Sequence, residues 1–359
     1  MRERSYSAHG RGIALLLALL FCVIPLAACK RGSDLPLSPG LSLIEGAPIH
    51  DKNVALATDH FTVTPGMMAF YFYDYGGAVM SSMETQKAFD QTKSLHDQMY
   101  TDTLTWYDVI MNETLASISK LLIYCEAAHA AGVSLTEAQS AAVNEQMETL
   151  RLRAAANTLD LATYLSYLYG PLVTEQDMRR VMELEALATA HSPAVSKELE
   201  GAITTEQIKA YAQSKGLDDA TPSRNITFVM IPHQSGLADS ASIDEVLAAL
   251  RKAPEAATLK GFEERWSVAT EENLTPENIG VEAIAQWLYA DGRKVAEYAA
   301  LTASGVTYVV LYTGDGLTFG EVTAKMRLYE IGWNNWYNAW VERVQFGYNY
   351  DILDSYDVA

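Results

Sequence analysis

The sequence predicts an α+β protein, mainly helical, in which a smaller α+β domain interrupts a helical lobe. Three observations lead there. From residue 65 to about residue 215, apolar side chains recur at three- and four-residue spacing between good capping residues, the pattern of core-facing helices. Residues 225–232 (Asn-Ile-Thr-Phe-Val-Met-Ile-Pro) and 307–312 (Thr-Tyr-Val-Val-Leu-Tyr) are β-branched and aromatic runs closed by proline or glycine, which read as strands. Residues 319–346 then return to helical spacing. With 359 residues, 49% of them hydrophobic, the chain can bury more than one core.

Arg2, Arg4 and Arg11 precede an apolar run at 13–24 that is too short for an ordinary membrane span and is flanked like a secretory signal. The run ends in Leu26-Ala27-Ala28-Cys29, which resembles a bacterial lipobox. That resemblance implies cleavage before Cys29 and lipidation of Cys29, and so a chain anchored at the extracytoplasmic face of a bacterial membrane. Residues 1–28 are thus expected as a lipoprotein signal peptide. Residues 29–52, rich in Gly, Pro and Ser and without periodicity, are expected as a flexible tether.

Residues 53–220 read as the helical lobe. A strand at 54–57 and a turn at Thr58-Asp59-His60 lead to Thr64-Pro65, an N-cap followed by proline at the first helical position. Helices are expected over 106–131, 136–157, 159–169 and 175–191, with capping boxes at Ser134/Glu137, Thr174/Asp177 and Thr204/Gln207. Leu115, Ile118, Leu122, Cys125 and His129 fall on one side of the first of these. Residues 221–316 form the α+β domain, with a helix from Ser242 through Leu250 and another over 256–266 between its strands. In 317–359 a helix carries Val322, Met326, Tyr329, Trp333, Trp336 and Trp340 along one stripe. Three tryptophans on one face require a packing partner, expected to be the helical lobe.

The charge of −19 argues against nucleic acid as the main partner, since phosphate binding needs a concentrated basic surface. The histidines (His9, His50, His60, His96, His129, His191 and His233) are scattered, with no HExxH or CxxC pattern, so no metal and no cofactor are expected. P-loop, GxGxxG and GxSxG motifs are also missing. Once Cys22 and Cys29 are set aside, Cys125 is a lone small hydrophobe in a helix.

The ordered motifs resemble the PrsA/SurA class of extracytoplasmic foldases. They are Val63-Thr-Pro-Gly-Met-Met-Ala-Phe-Tyr71, the segment 158–170 followed by Thr174-Glu-Gln-Asp-Met-Arg179, and the connector Thr204-Thr-Glu-Gln-Ile-Lys-Ala-Tyr211. The resemblance implies a helical chaperone lobe with an inserted parvulin-like peptidyl-prolyl isomerase domain. Parvulins use an apolar proline pocket beside a pair of histidines, one on the first strand and one on the last. Aligning those strands places Phe228 and Tyr308 at the two histidine positions, so both are absent. His233 lies just past the first strand in an expected turn. The Gly-Gly-Asp-Leu-Gly stretch of active members is replaced by 271–280, Glu-Glu-Asn-Leu-Thr-Pro-Glu-Asn-Ile-Gly.

Phe228, Met230, Trp287 and Tyr308, with Phe262 and Tyr289, either line a proline pocket or fill a core. Met67, Met68, Phe70, Tyr71 and Tyr73, near Met80, Met83, Met99 and Met111, either offer an adaptable surface for unfolded clients or belong to the core of the lobe. The resemblance thus implies a lipid-anchored foldase for unfolded or nascent exported polypeptides, its parvulin-like domain weak or inactive. An active isomerase with a noncanonical pocket and a solute-binding lipoprotein are the alternatives. The first keeps the fold without the histidines. The second sits poorly with some 150 helical residues ahead of the first convincing strand pair.

Overall fold

The structure is a computed structural model and describes residues 46–81, 89–90, 92–233 and 239–357. The signal peptide, Cys29, Met83 and most of the expected tether lie outside the described residues, as does the Met80 side chain. In chain order the elements are β1 (Gly46–Pro48), β2 (Leu56–Ala57), β3 (Thr62–Val63), α1 (Pro65–Ser81), α2 (Trp106–Ala130), α3 (Glu137–Ala156), α4 (Leu161–Tyr169), α5 (Glu175–Gly201) and α6 (Thr205–Lys215). They continue as β4 (Pro222–Pro232), α7 (Ser240–Lys252), α8 (Ala256–Lys260), β5 (Ser267–Leu274), α9 (Glu282–Leu288), β6 (Tyr298–Ala303), β7 (Val306–Thr318), α10 (Phe319–Val341), β8 (Phe346–Tyr348) and α11 (Tyr350–Leu353). The protein is α+β and mainly helical. Among the described residues no helix is long and apolar enough to cross a membrane.

The chain divides into two compact units: residues through Glu198 together with Asn334–Ala359, and Leu199–Trp333. Both divisions fall inside a helix, α5 and α10, where the sequence had suggested boundaries at 220/221 and 316/317. The reason is local packing. Ile208 and Ala212 of α6 form a buried cluster with Ala324 of α10, so these turns belong with the α+β unit. At Gly320 an added Cβ would press on the Leu217 carbonyl carbon at 2.9 Å, so the N-terminal turn of α10 closes against the chain just past α6 only because that residue is glycine.

In the first unit a small sheet, ordered β1-β8-β2-β3, ties the two ends of the described chain together. β1 pairs in parallel with β8, and β2 pairs antiparallel with both β8 and β3. Gly46–Pro48, expected within the tether, is therefore a strand. Gly46 permits this, because a Cβ there would lie 2.5 Å from both the Phe346 carbonyl and the Tyr348 ring.

The core of this unit is built by α1, α2 and α5. Thr64 caps α1, accepting from the Met67 N–H at 3.1 Å, and α1 buries Met67, Met68, Phe70 and Phe72. α2 starts with a capping box between Thr105 and Asp108 and is buried on every side from Leu121 to Ala128, as a central helix must be. His129, expected on its core face, is exposed instead. α3 is capped by Thr136 and Gln139 rather than Ser134 and Glu137. The same Thr-x-x-Gln box opens α6 at Thr204 and Gln207. α5 continues to Gly201, past the expected stop at 191, by running through Pro193. In that turn the Ser192 hydroxyl donates to the Ala188 carbonyl at 3.0 Å, a side-chain bond where proline weakens the backbone ladder.

Beyond residue 334, Trp336 stacks on Tyr124 with ring centroids 5.5 Å apart. The segment after β8 is stitched to the helices by tyrosine hydroxyls: Tyr107 donates to the Leu353 carbonyl (2.7 Å), Tyr73 to that of Asp357 (2.9 Å), and Tyr356 to that of Pro65 (2.8 Å).

The second unit is organised around a four-stranded antiparallel sheet ordered β5-β4-β7-β6. β5 and β6 were not expected from the sequence, and α8 is much shorter than the 256–266 helix. α7 is capped by Asp239, whose side chain accepts from the Ser242 N–H, rather than by Ser242. Alternation along β4 and β7 gives the sheet two apolar faces. Val229, Ile231, Val309 and Leu311 pack with Val246, Leu250 and Leu259 on one. Ile226, Phe228, Val310 and Tyr312 pack with Ile284 and Leu288 of α9 on the other.

Candidate functional site

The α9 side of the second unit's sheet gathers all four residues expected around a proline pocket. The register pairs Phe228 with Val310 and Met230 with Tyr308, so Phe228 and Tyr308 are diagonal neighbours on one face. Their rings meet edge to face at 5.9 Å and 60°. Phe228 is buried at 6% exposure, whereas Met230, Tyr308, Trp287 and Leu301 pack around it and remain half-buried. The arrangement follows from the elements: β4 and β7 are the central strands, and the seven-residue α9 covers only part of their face.

Two arginines frame this patch. The Arg293 guanidinium lies 4.3 Å from the Trp287 ring centroid, donates from Nε to the Trp287 carbonyl at 3.0 Å, and pairs with Glu297 at 2.6 Å. Arg224 sits over both Tyr289 (4.8 Å) and Tyr312 (5.3 Å) and donates to the Leu288 carbonyl. The Tyr289 hydroxyl donates to the Leu274 carbonyl at 2.5 Å, and that of Tyr312 to Asp315. Burial pushes both phenols up to about 12, with Arg224 acting in the opposite sense. They are therefore neutral donors and ring walls, not proton shuttles.

No family model and no curated protein matches the chain. Among solved structures it is similar to PrsA from Bacillus subtilis at 15% identity, covering 72% of this chain and 91% of that one with a TM-score of 0.32. A SurA-like chaperone structure from Campylobacter jejuni matches at 10% identity over 82% of this chain and 98% of that one, TM-score 0.26. The foldase protein PrsA from Streptococcus pneumoniae matches at 16% identity over 68% and 88%, TM-score 0.23. All three scores lie below 0.5, so what the chain does has to be read from its own residues.

His233 cannot replace the missing histidines on this face. Its Nε2 lies 3.0 Å from the Thr307 hydroxyl, and Thr307 pairs with Ile231, whose side chain belongs to the opposite face. Phe262 also packs on that opposite face, not with Phe228. What remains around Phe228 is an apolar and aromatic shelf that can hold a flat aliphatic ring by dispersion and desolvation.

The expectation of a client-binding surface on α1 is corrected. Met67 and Met68 are fully buried and Phe70 is 1% exposed, because α1 is wrapped by α2 and by the C-terminal segment. Tyr71 and Tyr73 are half-buried and committed, Tyr71 to Glu185 at 3.2 Å and Tyr73 to the Asp357 carbonyl. Exposed large apolar side chains of this unit lie off α1: Met99 and Tyr100 ahead of α2, Leu152 of α3, Tyr167 of α4, Leu172 just beyond it, and Tyr350 of α11. The exposed Tyr167 sits between the half-buried Tyr164 and the buried Tyr169, so only one of these three tyrosines points to solvent.

Against the expectation of no metal-ligating group, one set of candidate ligand side chains does converge in the first unit. His60, Glu126 and His129 place one ligand atom each within 4.8 Å of one another. Sequence separation hid the set: Glu126-x-x-His129 is one helical turn, and His60 comes from a β-turn far upstream. A Glu-x-x-His pair near a helix end was the one available signal.

Proposed function

We propose that the chain is a PrsA/SurA-type foldase for unfolded exported polypeptides, tethered through Cys29 and carrying a parvulin-like unit that binds prolyl segments with little or no isomerase activity. The observation that carries this reading is the pairing of Phe228 and Tyr308 on one half-covered sheet face, at the positions where the sequence resemblance expects the histidine pair. Prolyl isomerisation breaks no bond. It requires the twisted amide to be bound better than the planar one across a barrier of about 18–20 kcal/mol. Phe228 and Met230 offer no hydrogen bond that strengthens as the amide twists, which leaves the Tyr308 hydroxyl in place of a histidine pair and supports little or no acceleration. Clients would also be met in the helical unit by the exposed Leu152, Tyr167 and Leu172.

Two assays on the purified protein test this together. It should suppress aggregation of a chemically unfolded client at near-stoichiometric ratio and leave the cis/trans relaxation of a proline tetrapeptide near its uncatalysed rate. Rapid isomerisation that Tyr308→Ala abolishes would favour an active isomerase. Stabilisation by a small metabolite, with no effect of unfolded polypeptide, would favour a solute-binding protein. The anchor has its own test: Cys29→Ser should move the protein from the membrane to the soluble fraction.

A further inference from the structure

The turn between β2 and β3 meets the last turns of α2 at a carboxylate and two imidazoles. Glu126 is buried, its side chain 5% exposed against 50% for His60. Its Oε1 accepts from the Thr58 hydroxyl at 2.5 Å and from the His60 backbone N–H at 2.9 Å, and its Oε2 lies 2.7 Å from His60 Nδ1. The His60 ring stacks on that of His129 at 4.0 Å and 30°, with the Phe61 ring edge-on to His129 at 6.1 Å.

A His–Glu ion pair would account for one imidazole and leave the second unexplained. Two imidazoles and one carboxylate converging at one place are the donor set that first-row divalent cations take.

We propose that His60, Glu126 and His129 form a binding site for a divalent cation of the zinc class, which cross-links the β2–β3 turn to the C-terminal end of α2. Zinc bonds to imidazole and carboxylate are about 2.0–2.2 Å, which places tetrahedral ligand atoms roughly 3.3–3.5 Å apart. The present spread of up to 4.8 Å therefore closes by up to about 1.4 Å as the metal binds. The exposed His60 and His129 rings supply that movement by turning out of their stack until each ring plane contains the metal. Glu126 stays fixed, because Thr58 and the His60 backbone hold it as an outer shell holds a ligand. Three protein ligands leave a fourth position for water or an incoming group.

The test uses the full chain, free of any histidine tag and stripped with chelator, titrated with Zn2+ by calorimetry. One equivalent should bind and raise Tm by roughly 5–10 °C once free Zn2+ is about a hundredfold above Kd. His60→Gln and His129→Gln, both at exposed positions, should each weaken binding at least about tenfold, while His50→Gln leaves it unchanged. Co2+ loaded in place of Zn2+ should give visible d–d absorption that His129→Gln removes. A Kd in the millimolar range or weaker, or equal binding by wild type, His60→Gln and His129→Gln, overturns the proposal.

Discussion

In the helical unit Phe70, Phe72 and Tyr356 are 1%, 0% and 1% exposed, whereas in the α+β unit Met230, Trp287 and Tyr308 remain half-buried on a sheet face. The difference lies in what covers each apolar layer. α1 is enclosed by long helices and by a C-terminal segment joined to them through tyrosine hydroxyl–carbonyl bonds, while the α+β face is covered by the short α9, by Leu274, Ile279 and Val281, and by three arginine-capped rings. Aromatic residues thus stabilise the first unit and leave a surface on the second. The similar composition of the two aromatic groups gave no hint of this.

The sharpest way to break that comparison is Tyr356→Ala. It removes a ring packed 5.5 Å from Phe72 and a hydroxyl bonded to the Pro65 carbonyl, and should cost about 3–5 kcal/mol in urea unfolding. An equal loss from Trp287→Ala would show that the sheet face is core after all.

Next comes pH. Burial pushes the Glu185 carboxyl from about 4.5 up to about 7, with the Tyr71 hydroxyl pulling the other way. A folded-state value above the unfolded one means that the native state holds the extra proton. This stabilisation is complete below about 4.5 and is lost as pH rises to about 7, by about 3 kcal/mol. Glu185→Gln should flatten that slope in melts taken across the window. Glu126, held low, works in the opposite sense: its contribution is present above the ordinary carboxylate range and is lost only in acid.

Gly66→Ala is a smaller perturbation of the helical unit. Its Cβ would meet Asp177 and, at 2.6 Å, the Leu172 carbonyl, a backbone clash expected to cost about 1–3 kcal/mol in the same urea titration. Smallest of all, Tyr308→Ala should change stability by under about 1 kcal/mol yet weaken binding of a proline-containing peptide severalfold by fluorescence titration. A large stability loss without a binding change would erase the contrast between core and surface.

Much of the helical unit was legible because caps and periodicity are local. Thr64-Pro65, Thr174/Asp177 and Thr204/Gln207 open helices where their chemistry requires. The α3 cap slipped by two residues because Ser134 and Thr136 both begin a box-like tetrad. β5 was hidden by its exposed Thr270, Glu271 and Glu272, an edge strand without clean alternation. β6, Tyr-Ala-Ala-Leu-Thr-Ala, carries three alanines that suit a helix as well as a strand. The Phe228/Tyr308 pair was legible because both central strands were. Burial of the α1 methionines and the approach of His60 to Glu126 depend on contacts between distant segments, which no local pattern encodes.

That α5 and α10 each begin in one unit and end in the other has a consequence for assembly. The α+β unit occupies one continuous stretch, whereas the helical unit lacks β8, Trp336 and Tyr356 until Asn334–Ala359 have been delivered. A chain made N-terminus first therefore completes its later-coded unit before its earlier one can close. The helical segments wait, apolar faces open, for the last part of the chain to arrive. Nascent chains halted after Trp333 should show a protease-resistant α+β unit and a cleavable helical region. Resistance of both would mean that the helical unit closes without its final segment.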